Sequence, residues 1–320
     1  MQKLKIICTL GPSSLNKNFL KFSNQNIDLL RLNMSHLTLK KLKKTIDFVK
    51  KNSKIPICID TEGAQIRVKV KKEKFFKSNQ KFKISREKGN ICLYPRKVFN
   101  KLKIGDILNI GFSNLLIKIV KKNNNALCKV ISPGKIENNK GVHLENRNIK
   151  LDFLTPKDFK AIEIGKKLKI KYYALSFTNS PNDIIKFNEL LKGKKKIFKI
   201  ETLRAIKNFK KILKKGDLFL IDRGDLSKDV KIENIPIVQR NLFKLKEKYK
   251  NKKIYVATNL LESMLENNYP TRGEANDIFN SLEMGASGLV LAAETAIGKH
   301  PKDTVIFLKK MIKTFNRSNL

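Results

Sequence analysis

Eight short apolar runs recur along this chain, at residues 5–10, 29–34, 55–60, 172–177, 195–200, 218–221, 253–257 and 288–292. Most are separated by segments with helical spacing, such as 39–51, 156–168 and 183–191. Runs of four to six apolar residues bounded by helical segments read as buried parallel strands. Strands alternating with helices build a parallel sheet. Eight such units favour a closed (β/α)8 TIM barrel, an α/β fold, over an open doubly wound sheet. In such a barrel the chemistry collects at the C-terminal ends of the strands.

Those ends carry polar residues throughout. The first run leads into Thr9, Gly11 and Pro12, the second into Arg31, Asn33, Ser35 and His36, and the third into Asp60, Thr61 and Glu62. The fourth leads into Ser176-Phe177-Thr178, the fifth ends in Lys199-Ile200-Glu201, and the sixth runs into Arg223-Gly224-Asp225. The seventh reaches Thr258-Asn259 and the eighth Ala293-Glu294-Thr295. Any one of these could be a helix cap, since Ser, Thr and Asp start helices routinely. Lysine and arginine among them are not explained that way. Two carboxylates on one rim can hold a hard divalent cation, and cations beside them can hold phosphate. Lys199, Glu201 and Asp225 therefore form phosphoryl-transfer equipment. The bland alternative is a structural ion-pair network.

The alternation breaks between residue 67 and about residue 151. That stretch is rich in Lys, Val, Ile and Phe, with turn signals at Gly89, Gly105-Asp106, Asn123-Asn124-Asn125 and Pro133-Gly134. It predicts several short antiparallel strands, hence a small all-β domain inserted after the third strand. The expected division is 1–67 and 150–320 for the barrel and 68–149 for a β-barrel-like insertion. An insertion hinged beside the mouth can act as a lid that excludes water from phosphoryl transfer. Residues 303–315 read as the helix closing the barrel.

Charges interrupt every apolar run well short of a membrane span. The segment Met1 to Leu10 is too short to be a secretory core and reads as the first strand. Cys8, Cys58, Cys92 and Cys128 form no C-x-x-C pair and read as reduced core residues of a cytoplasmic protein. The formal net charge is +41. Lysines are scattered through every segment, with no basic arm and no basic-aromatic module, so the charge reads as a compositional bias toward Lys, Asn and Ile. It predicts salt-sensitive polyanion adsorption and no specific nucleic-acid or membrane partner.

The ordered motifs resemble those of the pyruvate kinase family. They are Cys8-Thr9-Leu10-Gly11-Pro12-Ser13-Ser14, Arg31-Leu32-Asn33-Met34-Ser35-His36, Ile59-Asp60-Thr61 with Arg67, LDFLTPKD at 151–158, and Lys199-Ile200-Glu201. Arg223-Gly224-Asp225-Leu226, ATNLLESM at 257–264, Pro270-Thr271-Arg272-Gly273-Glu274, and Glu294-Thr295-Ala296 followed by Gly298-Lys299-His300-Pro301 complete the series. The resemblance covers nearly the whole chain and implies a barrel with a lid domain after the third strand. It implies glycolytic transfer of a phosphoryl group from phosphoenolpyruvate to ADP in the cytoplasm. By that resemblance Glu201 and Asp225 bind catalytic Mg2+ or Mn2+. Lys199 stabilises charge on the phosphoryl group and the nascent enolate, and Thr258 lies near the face where the enolate is protonated. The amides of Gly224 and Asp225, with the Thr258 hydroxyl, hold the substrate carboxylate. Arg31 and Arg67 contact phosphates; His36, Asn33, Pro12 and Lys140 lie at the nucleotide. Asn33, Ser35, Asp60 and Thr61 match a K+ site.

The sequence also departs from the family pattern. The family's large C-terminal domain has no counterpart in the 320 residues, so effector control of its kind is not expected, and a homodimer through the barrel is a possible assembly. Asp222 stands where the family usually has alanine; it would repel an anion unless it points away or is paired. Glu62, Ala64 and Gln65 replace Lys, Pro and Glu, and the last of these leaves K+ dependence open. Ala292-Ala293, Ile297 and Asn179 replace Ser-Gly, Lys and Arg. A surface pair of Glu62 with Arg67 is an alternative to any site role for either. Two readings follow: a minimal pyruvate kinase, or a diverged barrel that acts on another phosphoenol or 2-oxo acid or survives as a weakly active binding protein.

Overall fold

The computed structural model describes residues 4–87, 89–111, 115–145, 147, 149–249 and 251–318. Eight of the apolar runs are strands: β1 (Lys5–Thr9), β2 (Leu29–Asn33), β3 (Ile57–Asp60), β4 (Tyr172–Leu175), β5 (Lys195–Ile200), β6 (Leu218–Asp222), β7 (Lys253–Ala257) and β8 (Gly288–Leu291). They pair in parallel in sequence order and close into a barrel, with β8 on β1. Strand residues alternate between faces. Ile7, Leu29, Cys58, Ala174, Ile197, Leu220, Tyr255 and Val290, one from each strand, form a single buried cluster that plugs the barrel interior. The outward residues pack under the helices. In Leu39–Asn52, for example, Leu42, Ile46 and Val49 are buried one helical turn apart.

The helices start where their caps place them. Ser180 and Asp183 make a capping box ahead of Pro181–Leu190, and Thr271 and Glu274 make another ahead of Arg272–Glu283. The final helix, Pro301–Ser318, extends beyond the 303–315 read from the sequence, with Pro301 at its first position. No helix among the described residues is long and apolar enough to cross a membrane. Cys8, Cys58 and Cys128 are buried, Cys92 is half-buried, and all four are free.

Two compact units emerge: Met1–Gly63 with Pro156–Leu320, and Ala64–Thr155. In the second, seven strands close into a barrel around a core of its own that includes Val68, Leu93, Leu108, Ile117, Val130 and Val142. In Leu115–Lys122 the buried residues are Leu115, Ile117 and Ile119, the period of a half-buried strand. The expected antiparallel pairing holds except between Lys81–Ser85 and Ile91–Tyr94, which meet in parallel at Ser85 and Cys92. Closing the barrel brings these two strands together in the same direction, which a reading of hairpins alone does not anticipate.

Candidate active site

The plug residues predict what lies above them. Two residues further along each strand the same inward face recurs: Thr9 above Ile7, Arg31 above Leu29, Asp60 above Cys58, Ser176 above Ala174, Lys199 above Ile197 and Asp222 above Leu220. On β7 and β8 the corresponding residues are Ala257 and Ala292, which leave room. A layer of charge therefore sits on an apolar floor, at the strands' C-terminal ends. All six polar members are buried.

Lys199 is the centre of this layer, 3% exposed. Its ammonium lies 2.7 Å from Glu201 Oε1, 3.2 Å from Asp222 Oδ2 and 3.4 Å from Asp60 Oδ2. The Arg31 guanidinium donates from Nε to Asp60 Oδ2 at 2.7 Å, and its Nη2 is 2.6 Å from the same oxygen. Its Nη1 donates to Thr9 Oγ1 at 3.1 Å. Ser176 ties the group together: its single hydroxyl proton lies within reach of both the Thr61 carbonyl at 2.8 Å and Asp60 Oδ1 at 3.1 Å. The backbone amide of Phe177, which takes a positive φ of 53°, donates to Glu201 Oε2 at 2.6 Å.

Burial opposes every charge here, and neighbours decide each outcome. Burial pulls Lys199 down, but Asp60, Glu201 and Asp222 outweigh it, so its ammonium holds its proton more firmly than usual. Burial pushes Asp60 up, but Lys199 and Arg31 hold it below the usual carboxylate range. Burial pushes Glu201 up to about 8 against the pull of Lys199, and the charges of Asp225 and Asp222 push the same way. Glu201 is thus the carboxylate most in need of another cation.

The residues fit a divalent metal. Glu201, Asp222 and Asp225 each offer one oxygen, all within 4.8 Å of one another. Although Glu201 Oε1 is close to Lys199, it is buried and accepts no aligned hydrogen bond. An all-oxygen acidic set suits a hard cation such as Mg2+ or Mn2+. Asp225 is the most exposed of the three and also pairs with Lys228. Asp222 does not point away: it faces the rim and pairs with Lys199 at 3.2 Å.

Other residues singled out in the sequence are placed as follows. Thr258 follows β7 with φ 70°; its hydroxyl accepts from the Gly224 amide at 2.7 Å and donates to the Ala257 carbonyl. Arg223 points away from the carboxylates. It pairs with Asp277 at 2.7 Å and holds the Thr258 carbonyl with two nitrogens, so it braces Thr258 and does not serve as a phosphate cation of the rim. Asn33 and Asp60 are register partners at the ends of β2 and β3. With Ser35 and Thr61 they form an oxygen-rich corner in which Asn33 Oδ1 accepts from the Ser35 amide and Thr61 Oγ1 from the Ser176 amide. His36 and Pro12 are exposed on the barrel unit. Arg67 and Lys140 belong to the inserted unit, where Arg67 pairs in register with Gly141 and donates to the Asn139 carbonyl, and Lys140 lies 3.5 Å from Glu137. Glu62 is not a surface residue: it is buried and pairs with Lys157 at 2.7 Å.

Four residues play a part in the site that the sequence reading did not give them. Ser176 and Asp222 were legible from strand parity, since each lies two residues beyond a plug residue. Asp60 was assigned to a K+ corner, whereas its carboxylate is also the shared counter-ion of Arg31 and Lys199. Asp158, in the LDFLTPKD stretch, accepts from the amides of Glu62 and Gly63 and so anchors the loop after β3; only the fold brings it there.

The family model for the barrel domain of pyruvate kinase matches residues 1–305. A pyruvate kinase of Thermotoga maritima is 32% identical across 98% of this chain and 71% of its own length. One from Methanocaldococcus jannaschii is 34% identical across 98% of this chain and 69% of its length. One from Staphylococcus saprophyticus is 31% identical, and there the match spans 56% of the relative. Among solved structures, pyruvate kinase of Cryptosporidium parvum superposes with a TM-score of 0.90 at 27% identity, covering 98% of this chain and 71% of that one.

Proposed function

The chain belongs to the pyruvate kinase family, and from that premise we propose that it transfers the phosphoryl group of phosphoenolpyruvate to ADP, giving pyruvate and ATP. The observation that carries the reading is the buried, firmly protonated Lys199 beside Glu201, Asp222 and Arg31 at the C-terminal rim of the barrel.

In this reading Lys199 and Arg31 face the charge that develops on the transferring group. Preorganised cations on a rigid, water-poor rim need no reorganisation when that charge appears. Lys199 also meets the enolate oxygen left behind. Glu201 and Asp225 hold a divalent cation, which when bound supplies charge neutralisation for phosphoryl and enolate oxygens. Gly224, Asp225 and Thr258 receive the substrate carboxylate. For this the Gly224 amide exchanges the Thr258 hydroxyl for the carboxylate, the hydroxyl turns its proton from the Ala257 carbonyl to the carboxylate, and Arg223 keeps the Thr258 backbone in place. Thr258 is then also beside the enolate as it gains a proton. Arg67, His36, Asn33, Pro12 and Lys140 serve the nucleotide. Asn33, Ser35, Asp60 and Thr61 supply the hard oxygens that K+ takes.

A coupled assay of the purified protein with phosphoenolpyruvate, ADP and Mg2+, with and without K+, tests this reading. Equimolar pyruvate and ATP are expected. Failure to turn over, from folded protein, favours the second reading, a barrel turned to another phosphoenol or 2-oxo acid; Asp222 is the observation that favours it.

A further inference from the structure

Asp222 belongs to two groupings at once. Its Oδ2 is 3.2 Å from the Lys199 ammonium, and the same side chain stands with Glu201 and Asp225 in a set whose oxygens lie within 4.8 Å. It is 4% exposed, so solvent does little to damp its charge. The charges around it do not balance. Asp60, Glu201, Asp222 and Asp225 face Arg31, Lys199 and Lys228. Once Glu201 is ionised, as a carboxylate that holds a cation is, four carboxylates against three cations leave the rim acidic. Arg31 is engaged by Asp60, and Lys228 by Asp225, so Glu201 and Asp222 share Lys199. The acidic cluster is not the only feature that suits a cation. Glu201 Oε1 is buried and, although Lys199 lies 2.7 Å away, accepts no aligned hydrogen bond, so it has a lone pair left to offer a cation.

Lys199 is turned to the same purpose. Its ammonium is held among three carboxylates at 2.7, 3.2 and 3.4 Å, so little of its field is left for an incoming anion. An anionic substrate that arrived at the rim before a metal would meet Asp222 and Glu201. A divalent cation meets the opposite situation, an excess of hard oxygens.

Building on the reading of this rim as the seat of a divalent cation, we propose that Asp222 is a specificity determinant of that seat. It raises the affinity of the substrate-free protein for a divalent cation, and it lowers the metal-free affinity for the carboxylate substrate, so that the cation binds first. The competing role is a purely structural one, in which Asp222 only neutralises Lys199.

The test uses Mn2+ as the probe metal and oxalate as the probe anion, with the whole chain and no turnover. Free Mn2+ is followed by electron paramagnetic resonance during titration of the parent, Asp222→Asn, Asp222→Ala and Glu201→Gln. Asparagine keeps the size of Asp222 and can still accept from Lys199, so it carries the test if the alanine variant does not fold. Charges this close in a buried site predict a loss of about tenfold or more in Mn2+ affinity for both Asp222 variants. Oxalate, titrated calorimetrically without metal, is expected to bind the same variants about tenfold more tightly than the parent. If Asp222→Asn binds Mn2+ like the parent while Glu201→Gln loses it, the seat stands and Asp222 is only the counter-ion of Lys199. If neither substitution changes Mn2+ binding, the reading of the seat fails and the proposal with it. Unchanged metal-free oxalate binding overturns the order of addition.

Discussion

Replacing Lys199 with methionine removes one charge and keeps most of the side chain's volume, so its consequences can be worked out contact by contact. Asp60 keeps Arg31, which approaches it at 2.6 Å. Glu201 and Asp222 lose the cation they share. Removing one partner of a buried ion pair costs about 3–5 kcal/mol, because the other charge stays buried and alone. Part of that is recovered as Glu201, already pushed up to about 8 by burial, takes a proton. The variant is therefore expected to lose a few kcal/mol in urea unfolding, within the roughly 5–15 kcal/mol a folded domain has available, and to remain folded. Divalent-cation binding should be retained or strengthened, since a competing positive charge has gone. Phosphoryl transfer should not survive: a preorganised electrostatic donor is worth about a hundred- to a thousandfold in turnover. The assay is pyruvate formation under saturating Mn2+, on protein whose Mn2+ binding has been measured separately. A folded, Mn2+-loaded variant with parental turnover would refute the role given to Lys199.

Two further outcomes follow from the same geometry. In metal-free protein burial holds Glu201 at about 8, above the ordinary carboxylate value of 4.5, so its contribution to stability is fully present below 4.5 and is lost as pH rises toward 8. Thermal melts of the parent and Glu201→Gln should therefore converge at low pH and separate between pH 5 and 8, with the parent falling; parallel curves would contradict the burial argument. Gly63 has φ 67°, and a Cβ there would lie 2.6 Å from the Ser176 carbonyl oxygen. Gly63→Ala is expected to cost about 2 kcal/mol or more in urea unfolding, and to lower turnover by displacing Ser176; an unchanged urea midpoint would count against the packing described.

Much of this was legible in the sequence because a barrel strand obeys a simple rule. Runs such as Ile6-Ile7-Cys8 and Phe219-Leu220-Ile221 can only be buried on both faces, and period two then carries the inward face from Ile7 to Thr9 and from Leu220 to Asp222. The pairing of Lys199 with Glu201 could be read from adjacency on β5. Partnerships across the barrel could not. Nothing local says that Asp60 is shared by Arg31 and Lys199, that Arg223 turns to Asp277, or that Asp158 reaches the amides of Glu62 and Gly63. Those depend on closure of the eight strands, which brings distant positions within hydrogen-bonding distance. Backbone conformation was equally hidden: the positive φ of Phe177 that aims its amide at Glu201 has no signature in a phenylalanine.

In the proposed function the rim around Lys199 moves a phosphoryl group from an enol phosphate to a nucleoside diphosphate. The most direct test is a single turnover with phosphoenolpyruvate labelled in its phosphoryl group, protein in excess, Mg2+ and ADP present, quenched at intervals. Label is expected to leave phosphoenolpyruvate and appear in the γ-position of ATP, and Lys199→Met is expected to stop the transfer. Label that stays in phosphoenolpyruvate, or that emerges as free phosphate, from protein shown to bind Mn2+ and oxalate, would contradict it.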